Sequence, residues 1–273
     1  MRSRTLAGRW VLWTVVVVGA LVMLFPFLWT VVTSISTGAG LDVAPSLIPH
    51  NASFGAYLEL FRRTSFGRVV LNSLVIAVGT VALQILTSAL AAYVFSRLPF
   101  RGRGVVFGFY LATMMVPMQV LLVPLFVEMK SLGLINTYLG VILPAMASAF
   151  GVFLLRQAMS TVPYELDEAA RLDGAGHLRI FGQVLMPLVT PAVATLGVFS
   201  FMSSWNAFLW PLVILRSPQL KTLPLALAAL QGQYTTRWDV VMAGSVVTIL
   251  PMLAVYVFAQ KYVVQSVAGT GLK

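Results

Sequence analysis

The stretch Pro163-Tyr-Glu-Leu-Asp-Glu-Ala-Ala-Arg-Leu-Asp-Gly-Ala-Gly176 contains half of the chain's eight acidic residues, namely Glu165, Asp167, Glu168 and Asp173. The chain as a whole is 59% hydrophobic. Sequence this polar cannot lie in lipid, where each backbone and side-chain polar group needs an internal partner, so the stretch must lie outside a bilayer. A compact charged segment between two apolar ones is therefore a candidate contact for a soluble partner.

Composition identifies the class of protein. The mean hydropathy is +0.92 and 10% of residues are charged, whereas soluble domains carry about 25%; this indicates an integral membrane protein. The absence of cysteine excludes disulfides and cysteine metal sites, and His50 and His177 give no ligand spacing, so no metal site is expected. We attribute the net charge of +10 to basic residues that flank membrane spans, not to binding of nucleic acid.

Six charge-free runs are long enough to cross a membrane, which takes about 20 helical residues. They predict an all-α integral membrane protein with one transmembrane domain over residues 1–273. A β-barrel is disfavoured because runs such as Val15-Val-Val-Val18 do not alternate apolar and polar residues. The predicted spans are about 11–33, 69–95, 105–127, 138–155, 188–212 and 242–261, with an acidic loop at about 156–187.

Basic residues decide the expected orientation. The first span is preceded by Arg2, Arg4 and Arg9, which would also suit a cleaved signal peptide. The apolar run is longer than the roughly 7–15 residues of a signal peptide, which favours an uncleaved helix. With the N-terminus inside, eleven of the eighteen lysines and arginines face the cytoplasm, including three in the turn Arg97-Leu-Pro-Phe-Arg-Gly-Arg103. Both termini and the acidic loop are therefore expected in the cytoplasm.

The predicted spans hold no ionisable residue at their centres. This argues against a proton-driven pump, a voltage sensor and a cation channel with a carboxylate ring. Any transport would take its energy from outside the bilayer, and the acidic loop is the obvious point of entry. Four amide or aromatic side chains could line a transport path, and interhelical hydrogen bonding or interfacial anchoring explains them equally well. They are Gln84, Gln119, Trp205 and Asn206.

Within the acidic loop the residue order predicts a short helix. Ser160 or Thr161 can cap its N-terminus, and Pro163 suits the first turn. Gly174 and Gly176 are expected to end it, with a residue at positive φ.

One face of that helix is predicted to be open to a partner. Leu166, Ala169, Ala170 and Asp173 share the spacing of a single helical face, and the small alanines allow close approach of another surface. A helix lying on lipid headgroups is the alternative, but such helices are usually basic on their polar face, which favours docking.

These residues resemble the EAA loop of ABC-importer permeases. Glu168-Ala-Ala170 is followed after three residues by Gly174, and after nine more by Val184-Leu-Met-Pro187. Val184 and Met186 replace the isoleucine and leucine of the family pattern, which are mild departures. The segments similar to carbohydrate-importer permeases of the maltose type are 66–73, 89–97, 134–140 and 205–211.

The resemblance implies a type I ABC-importer permease fold with six helices and a cytoplasmic coupling helix, in a bacterial-type cell membrane. The implied partners are a second related permease subunit, two ATPase subunits, an extracytoplasmic substrate-binding protein and membrane lipid. ATP and Mg would be bound by the ATPase subunits, because this chain has no phosphate-binding loop; no catalytic residue or cofactor of its own is expected. The implied ATPase-coupling residues are Glu165, Glu168, Ala169, Ala170, Arg171, Asp173 and Gly174.

Two further contacts follow from the same resemblance. The outer loop residues Gln231, Gly232, Gln233 and Tyr234 would reach the sugar cleft of the binding protein. The C-terminal tail would touch the ATPase dimer through Gly269, Gly271 and Lys273.

The implied function is to form half of the translocation path for an oligosaccharide, disaccharide, amino sugar or related polyol. Ala207 departs from many relatives, which have an acidic or amide residue there, so one polar contact is missing. The alternative is a membrane scaffold that recruits a soluble partner through the acidic loop without transport.

Overall fold

The structure is a computed structural model that describes residues 6–36, 48–49, 51–63, 65–231 and 237–268. In these ranges the regular structure is helical apart from one isolated antiparallel bridge between Ser36 and Ala52, which confirms the all-α class. The helices are α1 Leu6–Ser34, α2 Gly55–Arg63, α3 Phe66–Arg97, α4 Arg103–Ala112, α5 Met118–Ser131, α6 Tyr138–Ala145, α7 Ala149–Thr161, α8 Glu165–Leu172, α9 His177–Leu188, α10 Thr190–Trp205, α11 Leu209–Ile214, α12 Leu223–Leu230 and α13 Trp238–Ala268.

Three of the described helices are each long and apolar enough to cross a membrane: Gly8–Ser34 within α1, α3, and Trp238–Gln260 within α13. Three helix pairs meet the same standard together but are sharply bent, by 99° between α4 and α5, 49° between α6 and α7, and 80° between α9 and α10. If each bent pair is one span, the total is six.

Each bend has a proline beside it. Pro117 precedes α5 in an extended conformation, Pro144 lies in the last turn of α6, and Pro191 lies in the first turn of α10. Proline lacks the amide hydrogen of a helical residue and clashes with the preceding turn. Proline therefore contributes to each bend but does not suffice for one, since Pro26, Pro124 and Pro251 lie inside helices that continue.

Several helix boundaries differ from the predicted spans. The helix α7 continues to Thr161, beyond the predicted end at 155, and the interval 188–212 is divided between α10 and α11. The interval 156–187 is largely helical, because it contains the end of α7, all of α8 and most of α9. Within α9, the turn Ile180–Leu185 is π-helical.

The contacts within the chain group it into two units. The first unit comprises Met1–Gly67 and Ala226–Pro251, and the second comprises Arg68–Leu225 and Met252–Lys273.

Polar contacts fix α2 within the first unit. The Ser34 and Tyr57 hydroxyl oxygens lie 2.7 Å apart, and Arg237 pairs with Glu59 at 3.3 Å and with Asp239 at 2.6 Å. The hydrogen bonds that Arg237 donates to Asp239 raise the pKa of its guanidinium above the ordinary value. The charged Arg237 side chain therefore links Glu59 on α2 to Asp239 on α13.

Two buried apolar clusters stabilise the second unit, since burial removes apolar surface from water or lipid contact and gives tight packing. One cluster joins the ends of α3 and α7 to α9 and α10 and contains Ala89, Ala92, Tyr93, Leu155, Met159, Ile180, Leu185, Val189, Ala192 and Leu196. The other cluster contains Ile76, Met129, Val141, Ile142, Trp210, Ile214, Leu215 and Leu225.

Candidate functional site

The acidic stretch forms α8, whose first turn contains three acidic residues. Carboxylates at a helix N-terminus are stabilised by the positive end of the helix dipole. Gly174 ends the helix with φ at +78°, as predicted, and the amide of Ala175 donates to the carbonyl of Ala170 at 2.9 Å. Gly176 has an ordinary negative φ of −77° and is not the left-handed residue.

The predicted N-cap is wrong. The cap of α8 is Tyr164, and both Ser160 and Thr161 belong to the last turn of α7. Their hydroxyls donate to the carbonyls of Arg156 and Ala158, at 2.7 and 2.8 Å. A hydroxyl that is bonded back into its own helix is not available to cap the next one.

The buried face of α8 is fixed to the end of α3 by an ion pair. The Asp167 carboxylate lies 3.1 Å from the Arg97 guanidinium, with side chains 0% and 4% exposed. The contact has the distance of an ion pair, but the N–H is not aligned as a hydrogen bond. Arg97 also donates to the carbonyl of Val162 at 2.9 Å. Sequence reasoning missed this pair, because Asp167 stands among acids that are all expected in solvent.

Aromatic contacts reinforce the attachment. The Tyr164 ring has the guanidinium carbons of Arg97 and Arg171 within 5.6 and 5.7 Å of its centroid. The hydroxyl of Tyr93 on α3 lies 2.9 Å from Nδ1 of His177 at the start of α9. Both α8 and α9 are thus tied to the same end of α3.

The opposite face of α8 is open. The side chain of Leu172 is 90% exposed, and Leu178, at the start of α9, is 80% exposed. Ala170, predicted for the open face, is half-buried against the cluster around Leu155. The exposed residues of α8 and its C-cap, called the open face below, are Glu165, Leu166, Glu168, Ala169, Arg171, Leu172 and Asp173.

A cavity of about 380 Å³ lies within the second unit. Apolar and aromatic residues form most of its wall, among them Phe208 and Trp210. Its polar residues are all neutral, and they are Thr80, Gln84, Ser200, Ser203 and Ser204.

Side chains of α3 satisfy the backbone at the break between α6 and α7. Gln84 donates its amide to the carbonyl of Ala145 at 2.6 Å, and the Thr87 hydroxyl donates to the carbonyl of Met146 at 2.6 Å. Gln84 in turn accepts a hydrogen bond from the hydroxyl of Ser200. These carbonyls have lost their helical partners, so the bonds stabilise the break itself.

The structure separates the four predicted path residues. Gln84 lines the cavity, and Ala207 also lies in its wall. Trp205 is 1% exposed and stacks on Phe201. Asn206 donates to the carbonyl of its own helix at Met202. The remaining residue, Gln119, is exposed and lies next to Met118, which lines the cavity.

The other predicted contacts fall largely outside the described residues. Gln231 is described and exposed. Gly232, Gln233 and Tyr234, and the tail residues Gly269, Gly271 and Lys273, lie outside the described ranges. Among the described residues no group of three or more His, Cys, Asp or Glu side chains could hold a metal ion.

Comparisons with known proteins agree with this arrangement. The family described as "Binding-protein-dependent transport system inner membrane component" matches residues 84–269. The chain is 37% identical to the arabinooligosaccharides transport system permease protein AraQ of Bacillus subtilis, over 86% of this chain and 83% of AraQ. It is 34% identical to the lactose transport system permease protein LacG of Rhizobium radiobacter, over 94% of each chain.

A solved structure has the same fold. A chain of a bacterial ABC transporter involved in the import of the acidic polysaccharide alginate superposes with a TM-score of 0.85 and 27% sequence identity. The match covers 96% of this chain and 99% of the other.

Proposed function

The chain belongs to the family of inner membrane components of binding-protein-dependent transport systems, and we propose that α8 couples it to an ATPase subunit. The chain is a sugar-type permease subunit of an ABC importer and a multi-pass membrane protein. This subunit therefore serves transport.

The observation that carries the proposal is the contrast between the two faces of α8. One face is fixed by the buried pair of Arg97 and Asp167, and the other presents three carboxylates around Leu172, which is 90% exposed. Leu166 and Leu172 are both exposed on this acidic helix, so the face offers apolar as well as charged contacts to another protein. A firmly attached helix can also pass a displacement to α3, because packed elements move together.

The proposed assembly has this chain beside a second related permease, with two ATPase subunits that bind ATP and Mg. We place α8 and both termini on the cytoplasmic side, and a substrate-binding protein on the other. The residues Gln231 to Tyr234 would contact that binding protein, and Gly269, Gly271 and Lys273 would contact the ATPase dimer. The names of the relatives, which include transporters of arabinooligosaccharides and lactose, support a carbohydrate as the substrate.

The test uses the intact complex in lipid nanodiscs. Glu168→Lys reverses a charge on the open face, and Gly174→Asp places a side chain at φ +78°, a conformation that strains residues with a Cβ atom. Each variant is expected to insert normally and to lose ATP hydrolysis stimulated by the loaded binding protein. Glu128→Lys, an exposed acid on α5, is the matched control and should keep full stimulation.

The proposal fails if both α8 variants retain stimulated hydrolysis at the wild-type rate. Normal assembly, measured as co-purification of all subunits, separates a loss of coupling from a loss of folding.

A further inference from the structure

Three interruptions of the helical backbone meet at the cavity. Met118 begins α5 just after the 99° bend, Ala145 ends α6 at the 49° bend, and Ala207 and Phe208 lie in the gap between α10 and α11. All four residues line the same space of about 380 Å³. The local sequence at each bend explains that bend alone. It does not explain why the three interruptions line the same cavity.

Helix interruptions at membrane depth are costly, because the freed backbone groups find no partner in lipid. They are tolerated where they are buried in protein or line a water-filled cavity, and transporters use discontinuous helices to build their solute sites. The carbonyls of Ala145 and Met146 are satisfied by Gln84 and Thr87, so the break is maintained by dedicated side chains. Specific side chains therefore stabilise the broken backbone that surrounds the cavity.

The cavity retains unused hydrogen-bonding capacity. Gln84 uses one amide hydrogen on Ala145 and one lone pair on Ser200, which leaves one donor and one acceptor site on its amide. Ser203 and Ser204 also line the cavity, and each adds a hydroxyl group to its wall. Paired donors and acceptors beside an aromatic ring, here Phe208, suit a polyhydroxylated ring.

The charge of the cavity wall limits the class of solute. The lining holds neither an acidic nor a basic side chain. A carboxylate, phosphate or sulfonate placed there would lose its hydration without gaining a counter-charge from this chain, which is strongly unfavourable. The fold does not impose this limit, because the solved transporter of similar fold imports an acidic polysaccharide.

We propose that this cavity is a solute subsite within this subunit that takes one or two rings of a neutral saccharide and rejects anionic ones. The inference rests on the proposed transport function and adds a site and a charge class to it. The volume agrees, since small-molecule pockets usually measure about 300–1,000 Å³.

The experiment measures uptake by cells that carry the complete transporter. The neutral probes are radiolabelled lactose, arabinotriose and diacetylchitobiose, and the anionic probes are sn-glycerol-3-phosphate and sulfoquinovosyl glycerol. We expect saturable uptake of at least one neutral probe and of neither anionic probe. Uptake of an anionic probe, or of no neutral probe, overturns the inference.

Two variants then test the location. Ala207→Phe fills the cavity, and Ser204→Asp adds a charge with little change in size; each should lower uptake of the neutral probe at least tenfold in complexes that assemble normally. Ala82→Phe is the matched control, because Ala82 is an exposed residue of α3 outside the cavity, and it should stay within twofold of wild type.

Full uptake by Ala207→Phe also overturns the inference. If Glu168→Lys abolishes transport while Ala207→Phe does not, the subsite is wrong and the proposed function stands. If Glu168→Lys and Gly174→Asp both transport normally, the coupling proposal is the one that fails.

Discussion

The Asp167 carboxylate lies 3.1 Å from the Arg97 guanidinium, and both side chains are buried. The two residues belong to α8 and to the end of α3, 70 positions apart in the chain. Gln84 and Thr80, on the same helix α3, line the cavity. One continuous helix thus connects the proposed ATPase contact to the proposed solute subsite.

Asp167→Ala should destabilise the protein strongly. Removal of one partner leaves the other charge buried and unpaired, which costs about 3–5 kcal/mol. The thermal unfolding midpoint of the detergent-purified complex measures the effect. Asp173→Ala, an exposed acid next to the same helix, is the matched control and should leave the midpoint nearly unchanged.

A double variant distinguishes the ion pair from a general packing defect. Arg97→Met with Asp167→Leu removes both charges and keeps apolar volume, so it should recover much of the lost stability. If Asp167→Ala is as stable as Asp173→Ala, the ion pair does not anchor α8.

Leu172→Asp should weaken binding of the ATPase subunit without unfolding the permease, because Leu172 is 90% exposed in this chain alone. Burial of a leucine at an interface contributes about 1.5–3 kcal/mol, and 1.4 kcal/mol is a tenfold change in affinity. We therefore expect at least tenfold weaker retention of the ATPase in co-purification. Leu132→Asp, at an exposed leucine beyond α5, is the control; equal retention by both variants would contradict the docking role.

Much of the fold follows from sequence because lipid imposes simple rules. Charge-free runs indicate the membrane-crossing helices, and a residue at positive φ was correctly expected at the end of α8, where Gly174 adopts it. Family membership also favours transport over the alternative of a scaffold. These features depend on residues close together in the chain.

The parts that sequence reasoning missed depend on distant residues. Asp167 looks like any exposed acid until α3 brings Arg97 against it, and Ser160 looks like a cap until its hydroxyl is bonded within α7. The cavity is not visible in the sequence either, since it arises where three separate interruptions meet.

The proposed contact of residues 231–234 with the binding protein gives a prediction about substrate delivery. Replacement of residues 231–234 by a Gly/Ser linker of equal length should cut uptake while basal ATP hydrolysis persists, because it removes the proposed contact with the binding protein. Uptake of the neutral probe and basal hydrolysis are measured on the same preparation. Normal uptake would show that the segment is a simple surface loop. Gln219→Gly, at an exposed residue of the neighbouring 3-10 turn, is the control.

Gly140→Ala should destabilise the second unit, because a Cβ atom at this position would collide with the backbone carbonyl of Leu134 and lie 3.2 Å from Ile214. The helix cannot move aside easily, since the Gly140 carbonyl accepts a hydrogen bond from the Trp210 indole at 3.1 Å. Overpacking of this kind costs about 1–3 kcal/mol.

Gly108→Ala is the matched control for that substitution. Gly108 lies in α4 with no atom within 4 Å of an added Cβ, and alanine in a helix interior gains about 0.5–1 kcal/mol over glycine. The unfolding midpoint should therefore fall for Gly140→Ala and hold or rise for Gly108→Ala. A midpoint for Gly140→Ala at or above wild type would mean that α6 and α11 are not packed as closely as the structure has them.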